Sequence, residues 1–277
     1  MTSARQTADP GLLRIDLAPR IGSELRADVD ALLSGRHSAE IRGLLEQRGV
    51  VAFRELNLGE AQQIAFTRTL GSNTQDCEIT RITMDPLENP KADYIKGAFY
   101  WHIDGTMLHT PIFASVMSSR RLSTTGGQTE FCNTYAAWDE LPEAEKQALA
   151  TLKVVHMFET AQRCVKPEPS YEELKKWQQY QPNTLPLVWT HRTGRKSLVL
   201  GSTASHIEGM DLREGWALLT RLREWATRPE FVYRHEWKLG DLVIWDNTGT
   251  MHRALPYPLD SGRLMYRTQI AGDEPFA

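Results

Sequence analysis

The sequence predicts a mainly β fold with flanking helices, a jelly roll in architecture. One observation is a set of short segments rich in β-branched and aromatic residues, separated by turn residues. A second is that these segments do not alternate regularly with helical patterns, so an antiparallel jelly roll fits better than a doubly wound parallel sheet. A third is length: 277 residues with 41% hydrophobic and 24% charged residues can close one large core without dividing, so a single domain over 1–277 is expected.

In chain order, SAEIRGLLEQR at 38–48 has helical spacing behind a serine that can cap it, and GVVAFREL follows as a buried strand. LGEAQQIAFTRTLG reads as a second helix ended by Gly71. FYWHID, PIFASVMSS and GQTEFCNT read as strands, and LPEAEKQALATL as a helix. The polar, proline-containing stretch 160–186 reads as an insertion or lid, within which Ser170 and Glu173 form a capping-box pattern for SYEELKKWQQY. KSLVLG, the helix LREGWALLTRLREWAT, and the strands DLVIWDN and LMYRTQIAG complete the pattern.

Bulk properties narrow the function. A formal net charge of −3 lacks the basic footprint that a phosphate backbone demands, so no nucleic-acid partner is expected. Cys77, Cys132 and Cys164 have no paired spacing and read as reduced thiols, consistent with a cytoplasmic protein. The first twenty residues lack the apolar core of a signal peptide, and no run of about eighteen apolar residues occurs, so no membrane partner is expected.

The chemistry concentrates around WHIDGT. His102 and Asp104 stand two positions apart on a predicted strand, which places both side chains on one face with Cα atoms roughly 6.5 Å apart, close enough to share an ion. His252 is the best third ligand, because it follows the strand DLVIWDN, whose Asp246 and Asn247 signal an abrupt end and a functional loop. His109 is its rival, but it has no partner carboxylate at ligand spacing. Two imidazoles and one carboxylate leave positions open for a chelating co-substrate and dioxygen on iron(II); zinc accepts the same ligands.

WHIDGT, GGQTEF and GDLVIWDNTGTMHRALPYPLDSGRLMYRTQIAGD, taken in that order, resemble the motifs of the taurine and 2,4-dichlorophenoxyacetate dioxygenase family from about Gly49 to Pro275. The resemblance implies a cupin-like double-stranded β-helix and iron(II) held by His102, Asp104 and His252. It also implies that 2-oxoglutarate is decarboxylated to succinate and carbon dioxide while O2 supplies a hydroxyl group to an aliphatic C–H bond. An intact Asp104 implies hydroxylation rather than halogenation, since related halogenating enzymes carry a small residue there.

The co-substrate's distal carboxylate needs a cation if it is buried, and a bidentate guanidinium satisfies it best. Alternation along GRLMYRTQI puts Arg263, Met265 and Arg267 on one face, with Leu264, Tyr266 and Thr268 on the other, although DSGR also reads as a surface turn. The resemblance assigns Arg263 to the distal carboxylate, assisted by the Thr129 hydroxyl. It places Arg267 near a substrate anion or the co-substrate's metal-bound carboxylate. Trp101, Trp245 and Asn247 read as packing and loop support. Tyr94, Lys96 and Tyr100, just before WHIDGT, are offered as further substrate contacts or as solvated loop residues.

The expected substrate is a small organic anion, such as a sulfonate, an aryloxyalkanoate or an alkyl sulfate. An amino-acid- or fatty-acyl-derived intermediate of a natural-product pathway is the alternative with the same chemistry. A zinc metalloenzyme and a non-catalytic jelly-roll binding protein are readings from other classes, and neither accounts for Arg263 in step with His252. Relatives often form dimers or tetramers, so a homo-oligomer is compatible with the resemblance.

Overall fold

A computed structural model describes residues 12–72, 79–89 and 92–276. Cys77 and the first eleven residues of the N-terminal reading lie outside the described residues. The main layer is a seven-stranded sheet. Its order is Leu13–Asp16, Ser23–Arg26, Val50–Phe53, Leu242–Asp246, Ala114–Arg121, Leu264–Ile270 and Thr80–Ile82. All its pairings are antiparallel except that of Ser23–Arg26 with Val50–Phe53.

Facing it, Thr129–Asn133 lies between Val232–His235 and Thr250–Ala254. This layer continues through a single antiparallel bridge between His252 and His102, and then through Ser202, whose N–H donates to the Trp101 carbonyl at 2.8 Å. The Ala204–Ile207, Lys153–His156 and Asn183–Pro186 strands extend it.

Period-two alternation explains how the layers pack. In the central Leu242–Asp246 strand, Leu242 and Ile244 face a cluster with Ile41, Leu44, Leu45, Phe66 and Leu70 of the helices Ser38–Arg48 and Glu60–Leu70. Val243 and Trp245 point the other way, against Phe131 and Tyr233 of the facing layer. A sheet buried on both faces needs apolar residues at successive positions, and VIW supplies them. The preceding Asp241 is an anchor: its carboxylate accepts from Arg54 at 2.7 Å, lies 3.0 Å from His235 Nε2 and takes the backbone N–H groups of Glu55 and Lys238.

Several predicted elements hold with shifted roles. The Ser38–Arg48 helix forms, but His37 occupies its N-cap position and no side chain caps it, so Ser38 is the first helical residue rather than the cap. The Ser170–Glu173 capping box is reciprocal, with Glu173 N–H donating to Ser170 Oγ and Ser170 N–H to the Glu173 carboxylate. Stretch 160–186 is only partly insertion-like: it carries most of the Phe158–Val165 helix and all of the Tyr171–Trp177 helix, and its end, Asn183–Pro186, pairs with Lys153–His156 as part of the second layer.

FYWHID is not a strand. Residues Lys96–Phe99 form a 3-10 turn, and only His102 makes a ladder bridge. The chain then turns at Gly105, where φ is +92° and a Cβ would sit 3.0 Å from the Ile112 nitrogen, so pairing cannot continue.

Two buried histidines give the fold a pH dependence. His156 is fully buried, with Nδ1 2.9 Å from Thr203 Oγ1, and burial pushes its pKa down to about 4. His191, with Nε2 2.8 Å from Ser197 Oγ, is held at about 4 by burial and by Arg195. In the unfolded chain each titrates near 6.5, so the unfolded state binds more protons between these values. Each imidazole's contribution is therefore present above pH ~6.5 and lost as pH falls toward 4, on the order of a few kcal/mol per group. Denaturant midpoints at pH 7 and pH 5 should show this loss, and His156→Gln should reduce it; an identical pH slope in that variant would refute the assignment.

Candidate functional site

His102, Asp104 and His252 converge. One ligand atom from each lies within 4.8 Å of the others, and they are a His/Cys/Asp/Glu group of metal-binding geometry found among the described residues. Asp104 Oδ1 is 3.7 Å from His102 Nε2 and 3.9 Å from His252 Nε2. The bridge between residues 102 and 252 brings the rings to a centroid separation of 4.1 Å. His252 stands on the Thr250–Ala254 strand rather than in a loop, on the inward face against Trp245 and Phe131, with centroids at 4.7 and 6.2 Å.

Local hydrogen bonds, charges and burial set the chemical form of these groups. His102 Nδ1 lies 2.8 Å from the Tyr100 carbonyl, an acceptor, so Nδ1 is the donor there and Nε2 is the nitrogen that faces the cluster. Burial, reinforced by His102, pushes His252 well below the ordinary histidine range, which leaves it neutral. For Asp104, burial acts to raise the pKa, but the Arg267 guanidinium foremost, with the Ser115 hydroxyl, acts against it and holds the carboxyl below its ordinary range. Neutral imidazoles and an ionised carboxylate are the forms that ligate a cation.

The imidazoles open onto a cavity of about 360 Å³ lined also by Thr129, Arg263, Arg267 and Tyr94. Its remaining walls are largely apolar, including Ile82, Ile95, Phe99, Ile103 and Phe158. Arg263 is only 3% exposed, donates to the Gly127 carbonyl at 3.2 Å and lies over the Tyr257 ring; no carboxylate pairs with it among the described residues. A buried guanidinium without a counter-ion is costly, and it marks the place for an anion. Thr129 Oγ1 accepts from Trp237 Nε1 at 2.9 Å, which leaves its own O–H free to donate. Arg267 is partly engaged, with Nη1 3.4 Å from Asp104 Oδ2, while its buried Nε has no partner.

The expected contacts before WHIDGT divide. Tyr94 lines the cavity, but Lys96 faces an outer cleft with Gln162, Lys166 and Glu173, and Tyr100 lines a separate outer cavity, its hydroxyl donating to the Cys164 carbonyl at 2.6 Å. The 3-10 turn at Lys96–Phe99 rotates successive side chains by a third of a turn, so side chains close together in this segment face different walls. His109 is exposed and outside the cluster. Trp101 packs in the core beneath Arg253, as expected. Cys132 and Cys164 are free thiols.

Sequence reasoning missed Ser115, whose Oγ donates to Asp104 Oδ2 at 3.0 Å. Its signal was available: a serine between apolar neighbours in a strand predicted to be buried needs a hydrogen-bond partner. The apolar cavity walls, drawn from segments far apart in sequence, left no comparable signal.

Comparison with known proteins agrees with this geometry. The profile of the taurine catabolism dioxygenase TauD, TfdA family matches residues 14–269. An alpha-ketoglutarate-dependent 2,4-dichlorophenoxyacetate dioxygenase of Burkholderia sp. (strain RASC) is 35% identical over 266 residues, covering 87% of this chain and 89% of the relative. An alpha-ketoglutarate-dependent sulfate ester dioxygenase of Pseudomonas putida is 28% identical, covering 99% and 95% of the two chains. The crystal structure of AAD-2 with Mn(II) and N-oxalylglycine superposes with a TM-score of 0.86 at 30% identity, covering 96% of this chain and 99% of that one.

Proposed function

The chain belongs to the taurine catabolism dioxygenase TauD, TfdA family, and from that premise we propose that it oxidises an aliphatic C–H bond of a small organic anion, with iron(II) held by His102, Asp104 and His252. The chain is an oxidoreductase that uses iron(II), 2-oxoglutarate and dioxygen. Arg263 receives the distal carboxylate of 2-oxoglutarate and Thr129 donates to it. The observation that carries this reading is the buried Arg263 guanidinium, without a counter-ion among the described residues, lining the same cavity as the two imidazoles. A zinc hydrolase site would leave that guanidinium unexplained.

The residues present fit the absent groups. The donor set is two imidazole nitrogens and one carboxylate oxygen, which suits a divalent ion with open positions. Iron held there would, with 2-oxoglutarate and O2, supply the oxidising power, one oxygen atom entering the substrate as hydroxyl and the other entering succinate with release of carbon dioxide. What this chain's residues do is hold and enclose. Arg263 and Thr129 fix one end of the co-substrate, Arg267 offers an unused N–H to an anionic group, and the apolar wall of Ile95, Ile103 and Phe158 keeps water from the reacting carbon.

An apolar cavity with a guanidinium suits an anion with a hydrophobic body, as in aryloxyalkanoates and sulfate esters, the substrates named for two of the relatives. Substrate binding involves Tyr94 and Arg267, with Lys96 and Tyr100 outside the cavity. The reading extends to a single domain in the cytoplasm acting on a small molecule, alone or as a homo-oligomer, without nucleic-acid or membrane partners. No described helix is long and apolar enough to cross a membrane. The test is succinate release by metal-free protein supplied with iron(II), 2-oxoglutarate and oxygen across a panel of aryloxyalkanoates and alkyl sulfates. Substrate-dependent succinate is expected, and none across the panel with iron demonstrably bound would reject the proposal.

A further inference from the structure

The Asp104 carboxylate is held asymmetrically. Oδ1 is the oxygen that faces both imidazoles, whereas Oδ2 is turned to Ser115 Oγ at 3.0 Å and Arg267 Nη1 at 3.4 Å. The Ser115 bond has a fixed direction. Trp245 Nε1, which can only donate, lies 2.9 Å from Asn247 Oδ1, so the other end of that amide, Nδ2, must be the donor that lies 3.1 Å from Ser115 Oγ. Gln269 Nε2 also approaches Ser115 Oγ at 3.4 Å. The serine oxygen accepts from these amides, and its one proton goes to Asp104. Trp245, Asn247 and Ser115 are all 0% exposed, so water does not compete for these bonds.

We propose that Ser115 is a positioning residue that keeps Asp104 a one-oxygen ligand, through Oδ1, and thereby preserves the coordination position that dioxygen needs. This rests on the metal role given to Asp104 above. A six-coordinate ion that takes two imidazoles and one carboxylate oxygen has three positions left, two for the chelating co-substrate and one for dioxygen. If Asp104 swung to bind through both oxygens, only two positions would remain for three incoming donor atoms, so 2-oxoglutarate would have to displace Oδ2 or leave dioxygen no place. Engaging Oδ2 in a charge-assisted hydrogen bond opposes that swing.

The test uses cobalt(II) in place of iron and reads binding rather than turnover. In Ser115→Ala, Oδ2 keeps only the longer Arg267 contact at 3.4 Å and competes with 2-oxoglutarate for the ion. The dissociation constant of 2-oxoglutarate on the cobalt protein should then rise by at least about tenfold, the effect of one charge-assisted hydrogen bond. The cobalt dissociation constant should move less than that, because the second carboxylate oxygen compensates. Ser115→Thr, which restores the hydroxyl, should return the co-substrate value toward wild type, and Asn247→Ala, which removes the orienting amide, should shift it in the same direction as Ser115→Ala.

A role limited to tuning the metal predicts the reverse order, a cobalt affinity lower by ~10–100-fold with unchanged co-substrate binding, and that result would overturn the proposal. Unchanged values for both in Ser115→Ala would overturn it too. The visible spectrum of the cobalt protein adds an independent readout, since a change of coordination in Ser115→Ala alters band intensity and an unaltered spectrum counts against the swing. Failure of the underlying reading is distinguishable: wild-type protein would then bind neither cobalt at this cluster nor 2-oxoglutarate.

Discussion

Asp104→Ala should abolish substrate-dependent succinate release and lower iron(II) affinity by roughly a hundredfold or more, beyond what loss of a mere supporting group produces. The carboxylate supplies the cluster's negative charge. Without it, two neutral imidazoles face a divalent cation beside the Arg267 guanidinium, whose Nη1 lies 3.4 Å from Asp104 Oδ2 and would be left without its partner. A buried cation site with a nearby uncompensated positive charge repels the ion it should hold. Metal content after anaerobic loading and dialysis, measured together with succinate release, checks this. Wild-type iron retention in the variant would show that Asp104 is not a ligand. Asp104→Asn separates charge from shape, since it keeps one oxygen and removes the charge, and it should fall on the side of Asp104→Ala.

Arg263→Met should raise the 2-oxoglutarate requirement by ~30-fold to several thousand-fold, which corresponds to about 2–5 kcal/mol for removing one partner of a buried charge pair. The same variant should not destabilise the ligand-free protein. In that state the guanidinium is almost fully buried, donates to the Gly127 carbonyl and meets no carboxylate among the described residues, so burial works against its charge and lowers its pKa. A side chain of similar length without charge removes that cost. The expected pair of results is therefore an unchanged or higher melting temperature without ligand and a much weaker response of that temperature to added 2-oxoglutarate. An unchanged 2-oxoglutarate requirement would move the distal carboxylate elsewhere, and a large drop in ligand-free stability would make Arg263 a structural residue.

The cluster was legible in the sequence as residue types in order. His102 and Asp104 two apart, and His252 after a buried strand, were enough to nominate the group. The supposed strand through WHIDGT was not needed for them to meet, since one bridge at residue 102 and the turn at Gly105 do the placing. Alternation along GRLMYRTQI put Arg263 and Arg267 on one face, and both do line the cavity. Lys96 and Tyr100 were offered for their nearness to WHIDGT along the chain, as substrate contacts or solvated loop residues, and they fall outside the cavity because nearness in sequence does not fix which wall a side chain faces. Ser38 shows a smaller failure of the same sort: a good capping residue sits one position inside the helix because the preceding His37 takes the cap position.

What the sequence by itself determined are properties carried by local spacing: which strands alternate, which helices end at glycine, which side chains have metal-binding chemistry, and the ordered motifs that identify the family. What only the tertiary structure decided are properties that depend on distance between remote segments. These include the absence of a carboxylate paired with Arg263 among the described residues, the direction of the hydrogen bond from Ser115 to Asp104, and the apolar wall assembled from Ile82, Ile103 and Phe158. The reason is that hydrogen bonding and desolvation act over a few ångströms of space, whereas a pattern along the chain reports only neighbours in sequence.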